Sequence, residues 1–189
     1  RIARTHEEAR VTAQTLGFPV VVKGCGGALS HKTELGAVAV NLVDEQAVCA
    51  AASDIINLDG VQELLVESMV TDAVAEIIVG IKRHPNLGLA LVIGSGGVLT
   101  ELLGDSAHLI LPTTEEEIRT AIESLRMVGI LRGFRKKPAG DLDALVATVM
   151  GVVNYAVSNA GQLLELDVNP VLVRPVGAGA VAVDALIHL

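Results

Sequence analysis

A lysine that ends an otherwise apolar run is the first residue of this sequence with chemistry to offer. Val20-Val21-Val22-Lys23 reads as a strand with a charged last residue, and a charge there costs free energy unless something at the strand's open end pairs with it. A phosphate would do so; snorkelling of the ammonium to solvent is the other solution. His31 stands beside Lys32 and Thr33 in a glycine-rich stretch with nothing apolar to bury it. An imidazole with the ordinary pKa of about 6.5 is neutral and nucleophilic at physiological pH, so it can accept a phosphoryl group, though a loop histidine is often merely exposed.

Oxygen donors form the second constellation. In Glu165-Leu166-Asp167-Val168-Asn169-Pro170 strand alternation puts Glu165, Asp167 and Asn169 on one face and Leu166 and Val168 on the other. Together with Asp184 they suit Mg²⁺ carrying a nucleotide phosphate; acids alternating along a half-exposed strand are the plainer account. Gly94, Gly96 and Gly97 resemble a phosphate loop, but neither Gly-Lys-Ser/Thr nor a completed G-x-G-x-x-G follows. Close backbone packing around a turn explains them better. Glu101 and Asp105, four residues apart as on one helix face, can position a cation or an arginine, or simply open a solvated helix.

The elements that must hold these groups follow from caps and periodicity. Thr5-His6-Glu7-Glu8 has the capping-box form and opens a helix that ends at Gly17, with Pro19 beyond. Gly24 to Gly36 has no apolar periodicity and is expected to be a mobile loop. Ala37–Val43 reads as a strand, Asp44 as the cap of a helix to about Asn57, and Val61–Met69 with Ala75–Arg83 as a strand pair. A turn at His84–Gly88 leads into strand Leu89–Ile93. Leu109–Pro112 is a short strand, Thr114–Leu125 a helix, and Asp141 starts a long helix to about Ala160. Two β-rich runs, Gln162–Arg174 and Val181–His188, flank a hairpin at Val176–Gly179. Helices and strands mix without βαβ alternation or repeat, so the expected class is α+β with mixed sheets.

Composition narrows the function. Apolar residues make up 51% of the 189 residues but aromatics only 2%, so the core is built from Val, Ile, Leu and Ala, as suits a protein of both helices and strands. A formal net charge of −8 leaves no basic stripe for nucleic acid. Arg132, Arg135, Lys136 and Lys137 are a local exception, fit for one bound anion or for a solvated loop. Cys25 and Cys49, with no CxxC, read as reduced cytosolic thiols. No stretch reaches the about 18–20 apolar residues of a membrane span. The chain starts at Arg1-Ile2-Ala3-Arg4 with no apolar region behind it, and is expected to be cut from a longer polypeptide.

Taken in order, the segments Gly17–Lys23, His31–Gly36, Leu65–Val70, Glu76–Gly80, Gly94–Asp105, Glu165–Pro170 and Ala182–Ala185 resemble the ATP-grasp (β) part of ADP-forming acetyl-CoA and acyl-CoA synthetases, relatives of succinyl-CoA synthetase. The resemblance spans nearly the whole chain. It implies an ATP-grasp fold, with residues 1–70 the smaller subdomain carrying the phosphate lysine and the histidine loop, and residues 71–189 the larger one carrying the metal-binding strands. It also implies roles. Lys23 holds nucleotide phosphates, Glu67 with the backbone of Ser68, Met69 and Val70 reads the adenine edge, and Glu76 meets the ribose hydroxyls. Asn169 and Asp184 match the Mg²⁺ positions. His31 matches the histidine that takes phosphate from a partner-domain histidine and delivers it to ADP, with Lys23 offsetting charge. Arg135, Glu101 and Glu165 are expected as phosphate or supporting groups.

The implied cofactors are ATP or ADP with Mg²⁺, and the implied partner is a CoA-binding α-type domain in an oligomeric, cytoplasmic enzyme. Without that domain the chain is expected to bind nucleotide but not to complete the acyl-CoA reaction. In this family the acid binds the partner, so acetate, branched-chain and aromatic acids such as ferulate are all compatible with this chain. The sequence departs from the family pattern at Gly36-Ala37 for Gly-Gly, at Glu34 for aspartate, and at Arg135-Lys136 for Arg-Gly. Ala37 is expected to stiffen the loop hinge and Lys136 to add bulk to a phosphate-facing turn. Two other readings stand beside this one: a non-catalytic ATP-grasp-like regulatory module fused to an acetyltransferase, and an ATP-grasp carboxylate–amine ligase that needs no histidine. Joint retention of Lys23, His31, Asn169 and Asp184 argues against a decayed site.

Overall fold

The computed structural model describes residues 1–26, 35–96 and 104–189, so the readings at His31, Glu34, Gly97 and Glu101 lie outside the described residues. The chain divides into two compact units, Arg1–Thr71 and Asp72–Leu189. Mixed helices and antiparallel sheets make the class α+β, as the sequence predicts.

In the smaller unit, strands β1 (Ile2–Ala3), β2 (Val20–Cys25), β3 (Val38–Leu42) and β4 (Glu63–Ser68) form one antiparallel sheet in the order β1-β4-β2-β3. Helices α1 (His6–Leu16) and α2 (Glu45–Ile56) cover one face of it. The start of α1 is set by the Thr5 hydroxyl, which accepts the Glu8 N–H at 3.1 Å, while the Glu8 carboxylate accepts the Arg4 N–H at 2.7 Å. Gly17 ends the helix at φ +82°, and Asp44 caps α2 through the Ala47 N–H at 2.8 Å. Val20, Val22, Leu64 and Val66 fill the core against Ala9, Ala13, Val48 and Ala52. On edge strand β3 two residues, Val40 and Asn41, oppose Val21; Asn41 takes φ +57°, a bulge that blunts the edge against further pairing.

In the larger unit, strands β5 (Ala75–His84), β6 (Gly88–Ser95), β7 (Ser106–Ile110), β8 (Glu165–Val173), β9 (Ala180–Ala182) and β10 (Ala185–His188) form an antiparallel sheet in the order β10-β8-β5-β6-β7, with β9 beside β8. Helices α3 (Glu115–Ser124), α4 (Val128–Leu131) and α5 (Leu142–Ser158) accompany it. Ile77, Val79, Ile81, Leu91, Ile93, Leu166, Val168 and Val171 face Ile118, Ile122, Leu145 and Val149 in one apolar core. Thr114 and Glu117 close a reciprocal capping box on α3. Asp141 caps α5 at the Ala144 N–H, while its other oxygen accepts N–H groups from Gly177 and Gly179, tying the β8–β9 turn to the helix. Arg174 grips Asp72 with two hydrogen bonds, at 2.8 and 2.9 Å. Among the described residues no helix is long and apolar enough to cross a membrane, and both cysteines are free.

Several boundaries differ from the sequence reading, each for a physical reason. Val61–Met69 and Ala75–Arg83 do not pair: β4 joins β1 and β2, and β5 joins β6 and β8, because the chain passes from one unit to the other between them. Gly24 and Cys25 belong to β2 rather than to a loop, since Gly24 packs where a Cβ would stand 2.9 Å from Val61 Cγ2. The run Val181–His188 is broken into β9 and β10 at Val183-Asp184. Strand β7 begins at Ser106 rather than Leu109. The two-residue β1 and the four-residue α4 carry too little periodicity to be read in advance.

Gly140 links the core to the α5 cap. A Cβ there would meet Val74 Cγ2 at 2.9 Å, Val173 Cγ1 at 3.0 Å and Leu131 Cδ2 at 3.2 Å. Gly140→Ala is therefore expected to overpack the site and to destabilise the fold by about 1–3 kcal/mol, read from the midpoint of urea unfolding; an unchanged midpoint would contradict the packing.

Candidate functional site

Lys23 lies inside β2, across from Leu65 and diagonal to Glu67, which faces Val21. Only 9% of its side chain is exposed, and Nζ sits 2.8 Å from Glu67 Oε2. The partner that burial demands is thus at hand as a carboxylate. Glu67, 39% exposed, keeps part of its carboxylate open to a ligand.

Ser68 closes β4, opposite Val20. The Met69 N–H donates to Pro19 O at 3.0 Å, and the Met69 sulfur accepts the Asn41 N–H at 3.2 Å. A base approaching Ser68, Met69 and Val70 must therefore use backbone groups other than the Met69 N–H. Ala37 is fully buried and its carbonyl accepts the Gly24 N–H at 2.7 Å. Its place in the Gly36-Ala37 pair is unstrained, because the left-handed φ of +68° falls on Gly36.

The open face of the larger sheet carries the oxygen donors. Pairing of β8 with β5 and β10 makes cross-strand rows: Lys82, Glu165 and His188, then Gly80, Asp167 and Leu186. Between Val168 and Val171 the strand has one residue more than β5, so Asn169 and Pro170 together oppose Ile78. Asn169 is exposed at this bulge, and its N–H donates to Asp184 O at 3.2 Å. Asn169 and Asp184 thereby become neighbours across the β8–β10 junction, and Asp184 Oδ1 accepts the Ala185 N–H at 3.0 Å. Glu165 Oε1 lies 3.5 Å from Lys82 Nζ, so its charge is partly balanced.

Asp167 belongs to the oxygen-donor face that the sequence suggests for Mg²⁺, but the family resemblance gives it no role of its own. Burial first, then the charges of Glu165 and Asp184, raise its pKa above the ordinary carboxylate value. It lies over Gly80, where an added Cβ would be 3.7 Å from Oδ1. An Asn-Pro pair inside a strand pattern was the sequence signal for the bulge; the crowding at Asp167 needs the register of three strands.

A bound divalent cation fits these donors. Among the described residues no three His, Cys, Asp or Glu side chains converge to enclose a metal alone. Asn169 and Asp184 would offer hard oxygens to an ion that keeps water or phosphate ligands, which is the habit of Mg²⁺.

The remaining candidates fall elsewhere. Glu76 is exposed at the start of β5, and its carbonyl accepts the Gly96 N–H at 2.7 Å. Asp105 is not on a helix: it precedes β7, is buried, and accepts the Arg126 and Met127 N–H groups at 2.8 and 3.0 Å. Its role is to satisfy backbone donors ahead of α4, not to hold a cation. Arg135 and Lys136 are the central residues of a turn closed by Lys137 N–H to Phe134 O at 3.0 Å, with φ of +46° and +70°. Lys136 thus adopts a conformation that glycine takes freely, and the Arg135 guanidinium lies 5.1 Å from the Phe134 ring centre. Arg132 is 3.6 Å from Glu123.

The raised pKa of Asp167 gives a signed expectation. A carboxylate harder to ionise in the folded state lowers stability above its folded pKa, and the loss shrinks as pH falls from that value to the unfolded one, below which it is gone. Asp167→Asn should therefore raise the thermal midpoint at pH 7 without metal, with the difference shrinking toward acid. A variant less stable than wild type at pH 7 would refute the repulsion.

Comparison with known proteins gives the same architecture. The chain is 33% identical over 186 residues to an ADP-forming acetate–CoA ligase I of Archaeoglobus fulgidus, covering 95% of this chain but 27% of that enzyme. It is 30% identical to the β subunit of the ADP-forming acetate–CoA ligase II of Pyrococcus furiosus, covering all of this chain and 83% of the subunit. Among solved structures, the acetyl-coenzyme A synthetase 1 of Ca. Korarchaeum cryptofilum, in complex with coenzyme A, Ca-AMPCP and HgCl+, superimposes with a TM-score of 0.90 at 31% identity, over 100% of this chain and 84% of that one. Another structure of the same synthetase, with coenzyme A and Mg-AMPPCP and its phosphohistidine segment pointing towards the nucleotide binding site, gives 0.83 at 32% identity, again over 100% and 84%. The model of the ATP-grasp domain matches residues 1–189 in full, and the chain belongs to that family.

Proposed function

We propose that this chain is the nucleotide-binding part of an ADP-forming acyl-CoA synthetase, and that it passes a phosphoryl group between ATP or ADP and a histidine. The chain spans about a quarter of the length of the first relatives it matches, at 27% of each, so the acyl-CoA chemistry belongs to a partner domain of α type. The observation that carries the reading is the pairing of Asn169 with Asp184 beside an Asp167 whose charge lacks compensation.

The units of 1–71 and 72–189 are taken as the smaller and larger ATP-grasp subdomains. Lys23, aligned by Glu67, bears on the nucleotide phosphates and holds negative charge as it moves. The remaining acceptor capacity of the Glu67 carboxylate suits an amino group on the base edge, and Glu76 suits the sugar hydroxyls. Asn169 and Asp184 hold Mg²⁺, which supplies charge neutralisation for the phosphates when bound. His31 attacks the terminal phosphorus, a P–N bond forms as the P–O bond to ADP breaks, and the reverse step makes ATP. Arg135, Glu101 and Glu165 are supporting groups, Glu165 through its Lys82 pair. We place the enzyme in the cytoplasm, as an oligomer with its CoA-binding domain. The relatives compared above are described as CoA ligases and synthetases, which favours synthesis over a non-catalytic module.

The test is transfer of label from γ-³²P-ATP with Mg²⁺. Wild type should form an acid-labile, base-stable adduct and His31→Ala none. Lys23→Ala should weaken ATP binding by about 10- to 100-fold, the worth of a hydrogen bond to a charged group. Label persisting in His31→Ala would move the reading to a ligase without a phosphohistidine; ATP binding without any label would favour the regulatory module.

A further inference from the structure

Gly96 comes closer to Glu76 than any side chain would permit. The pairing of Ile77 with Ser95 continues one step further, so that Gly96 stands across from Glu76 and its N–H donates to Glu76 O at 2.7 Å. A Cβ at Gly96 would lie 2.8 Å from Glu76 Cβ, 2.9 Å from its carbonyl carbon and 3.0 Å from its oxygen. Ordinary cross-strand Cβ atoms stand about 4.5–5.5 Å apart. The atoms in the way are backbone and Cβ, which cannot swing aside as the end of a long side chain can. Gly96 is not among the glycines with positive φ, so the requirement there is space alone and not backbone conformation.

We propose that Gly96 is a positioning residue for the nucleotide site: the missing side chain lets the end of β6 close on β5 and fix the height and direction of the Glu76 carboxylate above the sheet. The inference rests on the reading of Glu76 as the group that meets the sugar hydroxyls. It assigns to Gly96 a role that neither a phosphate loop nor a plain turn provides. Glu76 is the first outward-facing residue of β5 and is exposed, so no neighbouring side chain needs to hold it; the backbone clamp at Gly96 does. Adding a methyl group at Gly96 pushes the Glu76 backbone outward or breaks the 2.7 Å hydrogen bond, and either change carries the carboxylate away from a hydroxyl that it must reach within about 3 Å.

The experiment is calorimetric titration of the chain with Mg-ATP and with Mg-2′,3′-dideoxy-ATP. Wild type should prefer ATP by about tenfold or more, since hydrogen bonds to a charged acceptor are among the stronger ones. Gly96→Ala should erase that preference while leaving affinity for the dideoxy nucleotide unchanged, Glu76→Ala should do the same, and the double variant should lose nothing further. Retained preference in Gly96→Ala, an equal loss for both nucleotides, or additive losses in the double variant would overturn the positioning role. Failure of Gly96→Ala to fold, seen in circular dichroism, would overturn it too, because the close approach would then serve the sheet rather than Glu76. No preference in wild type, with Glu76→Ala also without effect, is a different failure: the sugar reading of Glu76 falls, and the role of Gly96 with it.

Discussion

Antiparallel pairing of β5 with β8 fixes, in a single register, the core of the larger unit and the groups on its open face. Ile77, Val79 and Ile81 meet Leu166, Val168 and Val171 on one side. Gly80 and Lys82 meet Asp167 and Glu165 on the other. Because side chains alternate along a strand, a slip by one residue would bury the acids and expose the aliphatics together. The bulge at Asn169-Pro170 is the one place where the ladder departs from strict alternation, and it lies where Asn169 is turned to Asp184. The hydrophobic register thus determines which face carries the oxygen donors.

The smaller unit solves the opposite problem, a cation in an apolar strand. A lysine whose side chain is only 9% exposed has lost most of its hydration, a cost that one carboxylate in good geometry can roughly offset but seldom exceed. The Lys23–Glu67 pair is therefore poor evidence for stability. It is better understood as alignment: the ammonium is held on the outer face of β2 by a carboxylate that stays partly exposed, and an arriving phosphate adds to an arrangement already made.

Much of this was legible in advance. Thr5, Asp44 and Thr114 announce their helices because a cap is a local event involving two or three residues. The face shared by Glu165, Asp167 and Asn169 follows from alternation alone. What could not be read depends on partners distant in the chain. That Lys23 meets Glu67 requires β2 and β4 to be neighbours 44 positions apart. That Asp105 serves the Arg126 and Met127 N–H groups requires the start of β7 to sit beside α4. The expected pairing of the Val61 and Ala75 segments failed for the same reason: two adjacent strands in sequence read alike whether they pair with each other or with strands elsewhere. Lys136 was legible as a departure from the family's glycine, but only the φ of +70° shows why glycine suits that position.

Each unit carries local costs at the residues to which the proposed chemistry is assigned. Asp167 carries a charge opposed by burial and by two neighbouring carboxylates, Gly96 gives up a side chain to closeness, and Lys23 is withdrawn from water. Each is tolerated because the faces beneath are continuous aliphatic cores, built almost without aromatics, whose burial contributes far more than these groups subtract. A cation that relieved the repulsion at Asp167 in the folded chain alone would return part of the strain as affinity and the rest as stability. Among the acids of this face Glu165 is already balanced in part by Lys82, and a carboxylate so neutralised has less to gain from a metal than the crowded Asp167.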